Sequence, residues 1–129
     1  MERTERIFMN KELTLRDIKK KCEVNFDENE TYDLDETISK FILPRLIFFR
    51  DNEQGIPSSL ITFDEKGNSQ NELEAAQQWR DILNKMINAF WGNINGPWVD
   101  DDEAKEEELT QKRREGFELF AKYFESLWW

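Results

Sequence analysis

The sequence predicts a mainly α-helical protein, folded as a single small helical-bundle domain of about four helices over residues 1–129. Three observations lead to this prediction. Apolar residues recur at three- and four-residue steps, only 3 Pro and 5 Gly interrupt the chain, and hydrophobic residues make up 38% of it. A chain of 129 residues has room for one domain, which can bury a core without metal or disulfide staples.

A short helix is predicted within residues 10–24, with Leu15, Ile18 and Cys22 at inward positions. Residues 56–70 form a connecting segment. Within that segment residues 60–63 have extended character, and so do residues 6–9 near the start. A minor two-stranded β element that joins these two stretches is therefore left open.

A second helix is predicted over residues 34–50. Its apolar residues share one helical face, namely Leu34, Ile38, Phe41, Ile42, Leu46 and Phe49. Pro44 lies inside this helix, where it removes one backbone hydrogen bond and clashes with the preceding turn, at a cost of about 3 kcal/mol. We expect a kink at this proline or a break into two shorter helices.

The clearest helical pattern runs from about Asn71 to Trp91. Its apolar face consists of Leu73, Ala76, Trp79, Ile82, Leu83, Met86, Ile87 and Phe90, while most charged residues fall elsewhere. We expect this helix to end before the segment 92–98, since glycine and proline in that segment favour a helix end and a turn.

A long last helix is predicted from near Asp101 to residue 128. Carboxylates at residues 100–102 suit a helix N-terminus, and a basic run follows at residues 112–114. Its apolar stripe consists of Leu109, Gly116, Phe117, Phe120, Tyr123, Phe124 and Leu127. We assign Trp128 to the core as well, whereas Trp129 lies on the edge of the stripe.

The charge of the chain is concentrated in two acidic blocks. Residues 23–36 hold seven acidic and no basic side chains, residues 100–108 hold seven acidic and one basic, and the whole chain carries a net charge of −10. Such a field repels nucleic acid and anionic membranes and favours a partner protein with a basic surface. The acidic residues predicted to bind this partner are Asp27, Glu28, Glu30, Asp33, Asp100, Asp101 and Asp102.

Cysteine usage and hydropathy indicate the cytoplasm. One cysteine cannot form an internal disulfide, the N-terminal ten residues are too charged for a signal peptide, and no stretch approaches the roughly 20 apolar residues that span a bilayer.

The sequence lacks the residues that most catalytic mechanisms require. Histidine is absent, which removes the commonest general base and zinc ligand, and the five glycines are scattered singly, so there is no phosphate loop. A lone Cys22 is more typical of a small buried hydrophobe than of a nucleophile. We predict no enzyme activity, no catalytic residue and no cofactor.

Carboxylates on one helical turn leave a metal site as an alternative. Glu103 with Glu106 or Glu107 has the spacing of a helical divalent-metal site, but two acids at a helix N-terminus are expected simply to be solvated. A calcium loop starting at Asp27 fails, because Tyr32 occupies the glycine position and Ile38 the glutamate position. We therefore predict no metal ligand.

Three tryptophans are candidate contacts with a partner, because aromatic residues are enriched at interface hot spots. Trp91 lies at a predicted helix end, Trp98 in a Gly-Pro loop and Trp129 at the last position. The competing interpretation is that they close the ends of the bundle.

Three stretches of the sequence, "YDLDETISKFILPRLIFFR" (32–50), "WRDILNKMINAFW" (79–91) and "EGFELFAKYFESLWW" (115–129), resemble a family of small uncharacterised proteins of tailed bacteriophages and prophages. The resemblance covers a little over a third of the chain. It implies a shared helical fold and a phage or prophage origin, hence action inside a bacterial cell, and it carries no established activity. A longer segment before Trp79 and an acidic N-terminal half depart from the family pattern.

Three functions remain in competition. The first is an accessory protein that binds a phage or bacterial host protein without catalysis. The second is a mimic of DNA that inhibits a host nuclease or defence enzyme, which requires both acidic blocks on one face. The third is a carboxylate-metal hydrolase, which requires at least three converging acids. The oligomeric state is left open.

Overall fold

The computed structural model describes residues 12–52, 55–95 and 103–128. These residues form four α-helices, which are α1 (Leu15–Ile18), α2 (Leu34–Asn52), α3 (Glu72–Asn95) and α4 (Glu103–Tyr123). The predicted mainly α-helical class is thereby confirmed. The chain separates into two compact units with their boundary between Asp33 and Leu34, and the prediction of a single domain stays a prediction.

The N-terminal unit contains α1, which is one helical turn long. The Asp17 carboxylate caps its start, because Oδ2 accepts hydrogen bonds from the backbone N of Thr14 at 2.8 Å and from its Oγ1 at 3.0 Å. The predicted inward positions are wrong for Leu15 and Cys22, which are exposed, while Ile18 is half-buried. Because α1 ends at Ile18, it is a single turn and has no continuous apolar face that could be buried.

In the second unit α3 is the central helix, and α2 and α4 each pack against it. Both neighbours run antiparallel to α3. Arg50 near the end of α2 donates to Asn84 Oδ1 at 2.8 Å, whereas Ser39 earlier in α2 accepts from Asn93 Nδ2 near the end of α3 at 3.0 Å. Over the described residues, no Cα atom of α2 comes within 8 Å of one in α4.

The core lies along one side of α3, which supplies most of it. The buried residues of this cluster are Leu43, Leu46, Trp79, Ile82, Leu83, Met86, Ile87, Phe90 and Tyr123. The predicted α3 face is thus largely confirmed, with one error. Leu73 is 89% exposed, because it lies about 120° from Trp79 around the helix axis.

Aromatic rings join α3 to α4. Phe90 packs edge-to-face against Phe117 and Phe120, with ring centroids 5.1 Å and 5.0 Å away, and Trp79 packs on Tyr123 at 5.5 Å. These distances lie in the favourable range for aromatic pairs. The indole Nε1 of Trp79 is buried and has no hydrogen-bond partner among the described residues.

The C-terminus of α3 lies four residues beyond the predicted end. The helix continues through Gly92 to Asn95, and residues 96–102 lie outside the described part. The extra turn makes contacts that local sequence does not show. Asn93 Nδ2 donates to Ser39 Oγ at 3.0 Å and to Asp35 Oδ2 at 3.2 Å, and Ile94 packs on the core. These contacts offset the cost of glycine inside a helix, which is about 1 kcal/mol relative to alanine.

Helix α2 passes through Pro44 without a break. Of the two predicted outcomes, a kink at this proline or a break into two shorter helices, the break is therefore wrong. The proline lies on the exposed side of the helix, and its missing N–H leaves the carbonyl of Lys40 without its helical donor. One residue later, Arg45 Nη1 donates to the carbonyl of Phe41 at 2.7 Å. Packing of the opposite side of α2 on α3, together with this bond, offsets the cost of the proline.

The segment between α2 and α3 folds back on itself. It contains a short 3₁₀ turn at Ser58–Leu60 and an isolated antiparallel bridge between Phe63 and Ser69. The described residues include no strand longer than this bridge. The other half of the predicted β element, residues 6–9, lies outside the described part of the chain.

Helix α4 confirms part of its predicted stripe. Tyr123 is buried, and Phe117, Phe120 and Leu127 pack on the core. Three other assignments are wrong, because Leu109, Phe124 and Trp128 are exposed by 47%, 59% and 74%. The helix ends at Tyr123 and a 3₁₀ turn follows, so the residues beyond it no longer follow the helical period. The predicted cap, residues 100–102, lies outside the described residues.

Candidate functional site

Helix α2 has apolar residues on two opposite sides. One side is buried against α3 through Leu43 and Leu46, together with the polar Ser39. On the other side Leu34, Ile38 and Phe41 are 50%, 51% and 58% exposed. Together with exposed Arg45 they lie within a sector of about 60° around the helix axis. We call these four residues the α2 stripe.

Arg45 is held in a defined position within the α2 stripe. Its guanidinium carbon lies 3.7 Å from the centroid of the Phe41 ring, which is a cation–π contact, and Nη1 donates to the Phe41 carbonyl at 2.7 Å. Among the described residues no carboxylate lies within 4.0 Å of this guanidinium. Within the described part of the chain, one of its five N–H donors has an acceptor.

The sequence prediction placed Leu34, Ile38 and Phe41 in the core, and the structure shows them at the surface. Three- and four-residue spacing fits both apolar sides of α2, so periodicity alone does not choose between them. The buried side of α2 is determined by its packing on α3. Leu43 and Leu46 face α3, and the polar Ser39 on the same side accepts a hydrogen bond from Asn93. The signal in the sequence that could have identified the α2 stripe was the presence of apolar residues on a second side of this helix.

The first acidic block contains four of the predicted binding residues, and all four are exposed. Asp27 Oδ1 accepts a hydrogen bond from the backbone N of Asn29 at 2.9 Å and so caps the 3₁₀ turn Glu28–Thr31. Glu28 and Glu30 lie within this turn, and Asp33 follows it. The other predicted acids, Asp100, Asp101 and Asp102, lie outside the described residues. The DNA-mimic hypothesis, which requires both blocks on one face, therefore stays a prediction.

Of the three candidate tryptophan anchors, Trp91 belongs to the described residues and is 49% exposed on α3. Trp98 and Trp129 lie outside the described residues. A groove of about 260 Å³ between α3 and α4 is lined by Ala89, Gly92, Leu109 and three polar residues, and Trp91 is not among the residues that line it. The described residues that line this groove include no carboxylate and no cysteine.

Titratable groups with altered pKa values lie at the surface and each responds to a local partner. The Arg50 hydrogen bond lowers the pKa of Asp51, the backbone N–H of Asn68 lowers that of Asp64, and the Glu115 carboxylate raises that of Lys85. Within residues 12–52, 55–95 and 105–128, no three His, Cys, Asp or Glu side chains converge as metal ligands would. Cys22 is exposed rather than buried as its spacing predicted.

None of the helices in the described part has the length and apolarity needed to cross a membrane. Comparison with models of protein families, with curated proteins and with solved structures finds no match. In the described part of the chain, the α2 stripe combines three exposed apolar side chains with one positioned cation.

Proposed function

We propose that this chain is a non-catalytic binding protein, an accessory factor of phage type that docks on a phage or bacterial host protein through the α2 stripe. The observation that carries the proposal is the exposure of Leu34, Ile38 and Phe41 by half or more on the side of α2 opposite the core. The resemblance of three stretches to phage proteins supports the cellular setting, and the net charge of −10 supports a basic partner.

Isolated apolar residues at a surface are common and need no explanation. The α2 stripe differs because its members follow one another at i, i+4 and i+7, the pattern of anchors on a recognition helix. Full burial of a Leu, Ile or Phe side chain is worth roughly 1.5–3 kcal/mol, so covering the exposed halves of three returns about 3 kcal/mol. That gain changes an association constant by about two orders of magnitude.

Capture from a lysate of phage-infected or lysogenic bacteria tests the proposal with three versions of the full chain. The versions are wild type, Ile38→Asp in the stripe, and Leu73→Asp as the control. Leu73 is 89% exposed on α3, so its substitution adds the same charge at an exposed apolar residue outside the stripe.

We expect at least one protein to be retained by wild type and by Leu73→Asp and to be lost with Ile38→Asp. Circular dichroism should show the same helix content for all three. If the three versions retain the same proteins, or if none is retained by wild type, the proposal is wrong.

A further inference from the structure

We infer that the partner lays an amphipathic helix along the α2 stripe and presents an Asp or Glu carboxylate to Arg45. This inference rests on the proposed function and specifies the chemistry of its partner. It follows from the position of one charge inside an otherwise apolar surface.

Arg45 cannot be left in water when the α2 stripe is covered. It lies one turn beyond Phe41, and its guanidinium is stacked at 3.7 Å over the ring of that residue. A partner that covers Phe41 therefore covers the guanidinium as well. Burying a charge without an opposite charge costs more than the apolar contacts return, so a purely apolar partner is excluded.

The contacts of Arg45 favour a carboxylate over other acceptors. The Phe41 ring and the 2.7 Å bond from Nη1 to the Phe41 carbonyl hold the guanidinium before any partner arrives. A planar guanidinium with free N–H donors binds a carboxylate through two parallel hydrogen bonds. Because the side chain is already ordered, little rotamer entropy remains to be lost on binding.

A second copy of the chain does not meet this requirement. The stripe positions 34, 38, 41 and 45, and the next residues towards the C-terminus on this side of α2, Phe48 and Asn52, include no acid. Pairing the α2 stripe with itself across a two-fold axis therefore brings no carboxylate to Arg45. Away from this single carboxylate the partner helix should be basic, because the chain as a whole carries a net charge of −10.

Three synthetic helical peptides test the inference. All share one leucine stripe and a lysine-rich outer face, and they differ only at one central stripe position, which is Glu, Gln or Lys. Each is labelled with a fluorophore and titrated with the full chain, and binding is measured by fluorescence anisotropy at low and moderate salt.

We expect wild type to bind the Glu peptide at least tenfold more tightly than the Gln peptide, and the Lys peptide most weakly. Arg45→Glu should reverse the order of the Glu and Lys peptides. Arg80→Glu is the matched control, since Arg80 is half-exposed on α3 outside the stripe; it makes the chain more acidic, so it should raise all three affinities for these lysine-rich peptides by a similar factor and keep their order.

Equal affinity of wild type for the Glu and Gln peptides overturns the inference, as does an unchanged order with Arg45→Glu. If binding shows no preference but is lost with Ile38→Asp, the carboxylate is wrong while the docking surface stands. If binding is equal for wild type and Ile38→Asp, the proposed function fails as well. A concentration-dependent dimer that Ile38→Asp dissociates would assign the stripe to a second copy and overturn the inference.

Discussion

Gly116 of α4 lies directly against Ala89 of α3, and no space remains between them for another carbon atom. A Cβ built on Gly116 would overlap with the Cβ of Ala89 and with the backbone oxygen of Lys85. The two helices approach this closely because one of them has no side chain at the contact. Close beside it, Lys85 Nζ bonds Glu115 Oε1 at 2.8 Å, and Phe90 packs on Phe117.

Substitution Gly116→Ala should therefore destabilise the fold although alanine is the better helix former. The added methyl group meets backbone that cannot rotate away, so the helices must separate, and we expect a loss of about 1–3 kcal/mol in the free energy of unfolding by urea. Gly55→Ala is the control, since a Cβ at that exposed glycine has no heavy atom within 4 Å. Equal stability of the two variants would contradict the close helix contact.

The two sides of α2 should respond differently to truncation. Leu46 is 3% exposed, and Leu46→Ala should cost about 2–5 kcal/mol through the lost burial and the cavity left behind. Phe41 is 58% exposed, and Phe41→Ala should change stability by less than about 1 kcal/mol. Urea unfolding followed by circular dichroism measures both. A loss of similar size at Phe41 would place that residue in the folding core and remove the α2 stripe as a docking surface.

Asn71, the residue before α3, ties the preceding loop to that helix. Its Oδ1 accepts from the backbone N of Thr62 at 2.7 Å, and its Nδ2 donates to the carbonyl of Leu60 at 3.0 Å. Asn71→Ala should cost about 1–3 kcal/mol and accelerate amide hydrogen exchange at Thr62. Gln70→Ala, a change at an exposed neighbour, should leave both quantities unchanged. Unaltered exchange at Thr62 in Asn71→Ala would show that these bonds do not hold the loop.

The loop around Gly67 should open in acid. Asp64 Oδ1 accepts from the backbone N of Asn68 at 2.8 Å and of Lys66 at 2.9 Å, and the Asn68 bond is the main cause that lowers the pKa of Asp64 below its ordinary 3.8. Because this pKa is lower in the folded chain, the stabilisation is complete above pH 3.8 and is lost as the pH falls through the folded-state value.

Two measurements check this pH dependence. Carbon NMR titration of the Asp64 carboxyl group should give a midpoint below 3.8, and exchange protection at the Asn68 amide should fall with the same midpoint. In Asp64→Asn the side chain accepts the same bonds and does not titrate, so protection should not vary with pH over that range. A midpoint at or above 3.8 would contradict the hydrogen-bonded loop.

Periodicity identified most of the buried face of α3, whereas only part of the predicted face of α2, including Leu46, is buried. The reason for this difference is physical. In α3 one side contains Trp79, Leu83 and Met86 while charged residues occupy much of the remainder, so periodicity identifies the buried face. In α2 apolar residues occupy two sides, and the choice between them depends on α3, which lies far along the chain. The candidate site was missed for the same reason, since Leu34, Ile38 and Phe41 were assigned to the core.

The ends of helices are likewise hard to predict from local sequence, because tertiary contacts help to determine them. Gly92 is a local signal for a helix end, but the hydrogen bond from Asn93 to Ser39 is a tertiary contact that extends the helix past it. At Trp128 the opposite occurs, because the helix ends at Tyr123 and a 3₁₀ turn follows. Extrapolating the helical period beyond that point placed Trp128 in the core, although it is 74% exposed.

The central position of α3 determines when this protein can fold as a ribosome makes it. In the second unit α2 leaves the ribosome first, yet the helix it packs on is α3, and no Cα of α2 comes within 8 Å of one in α4 over the described residues. In the nascent chain α2 therefore has no core to pack on until α3 has emerged. During that interval both sides of α2 are open to chaperones. Synthesis of α4 then completes the core by adding Tyr123 to the face of α3 that α2 leaves uncovered.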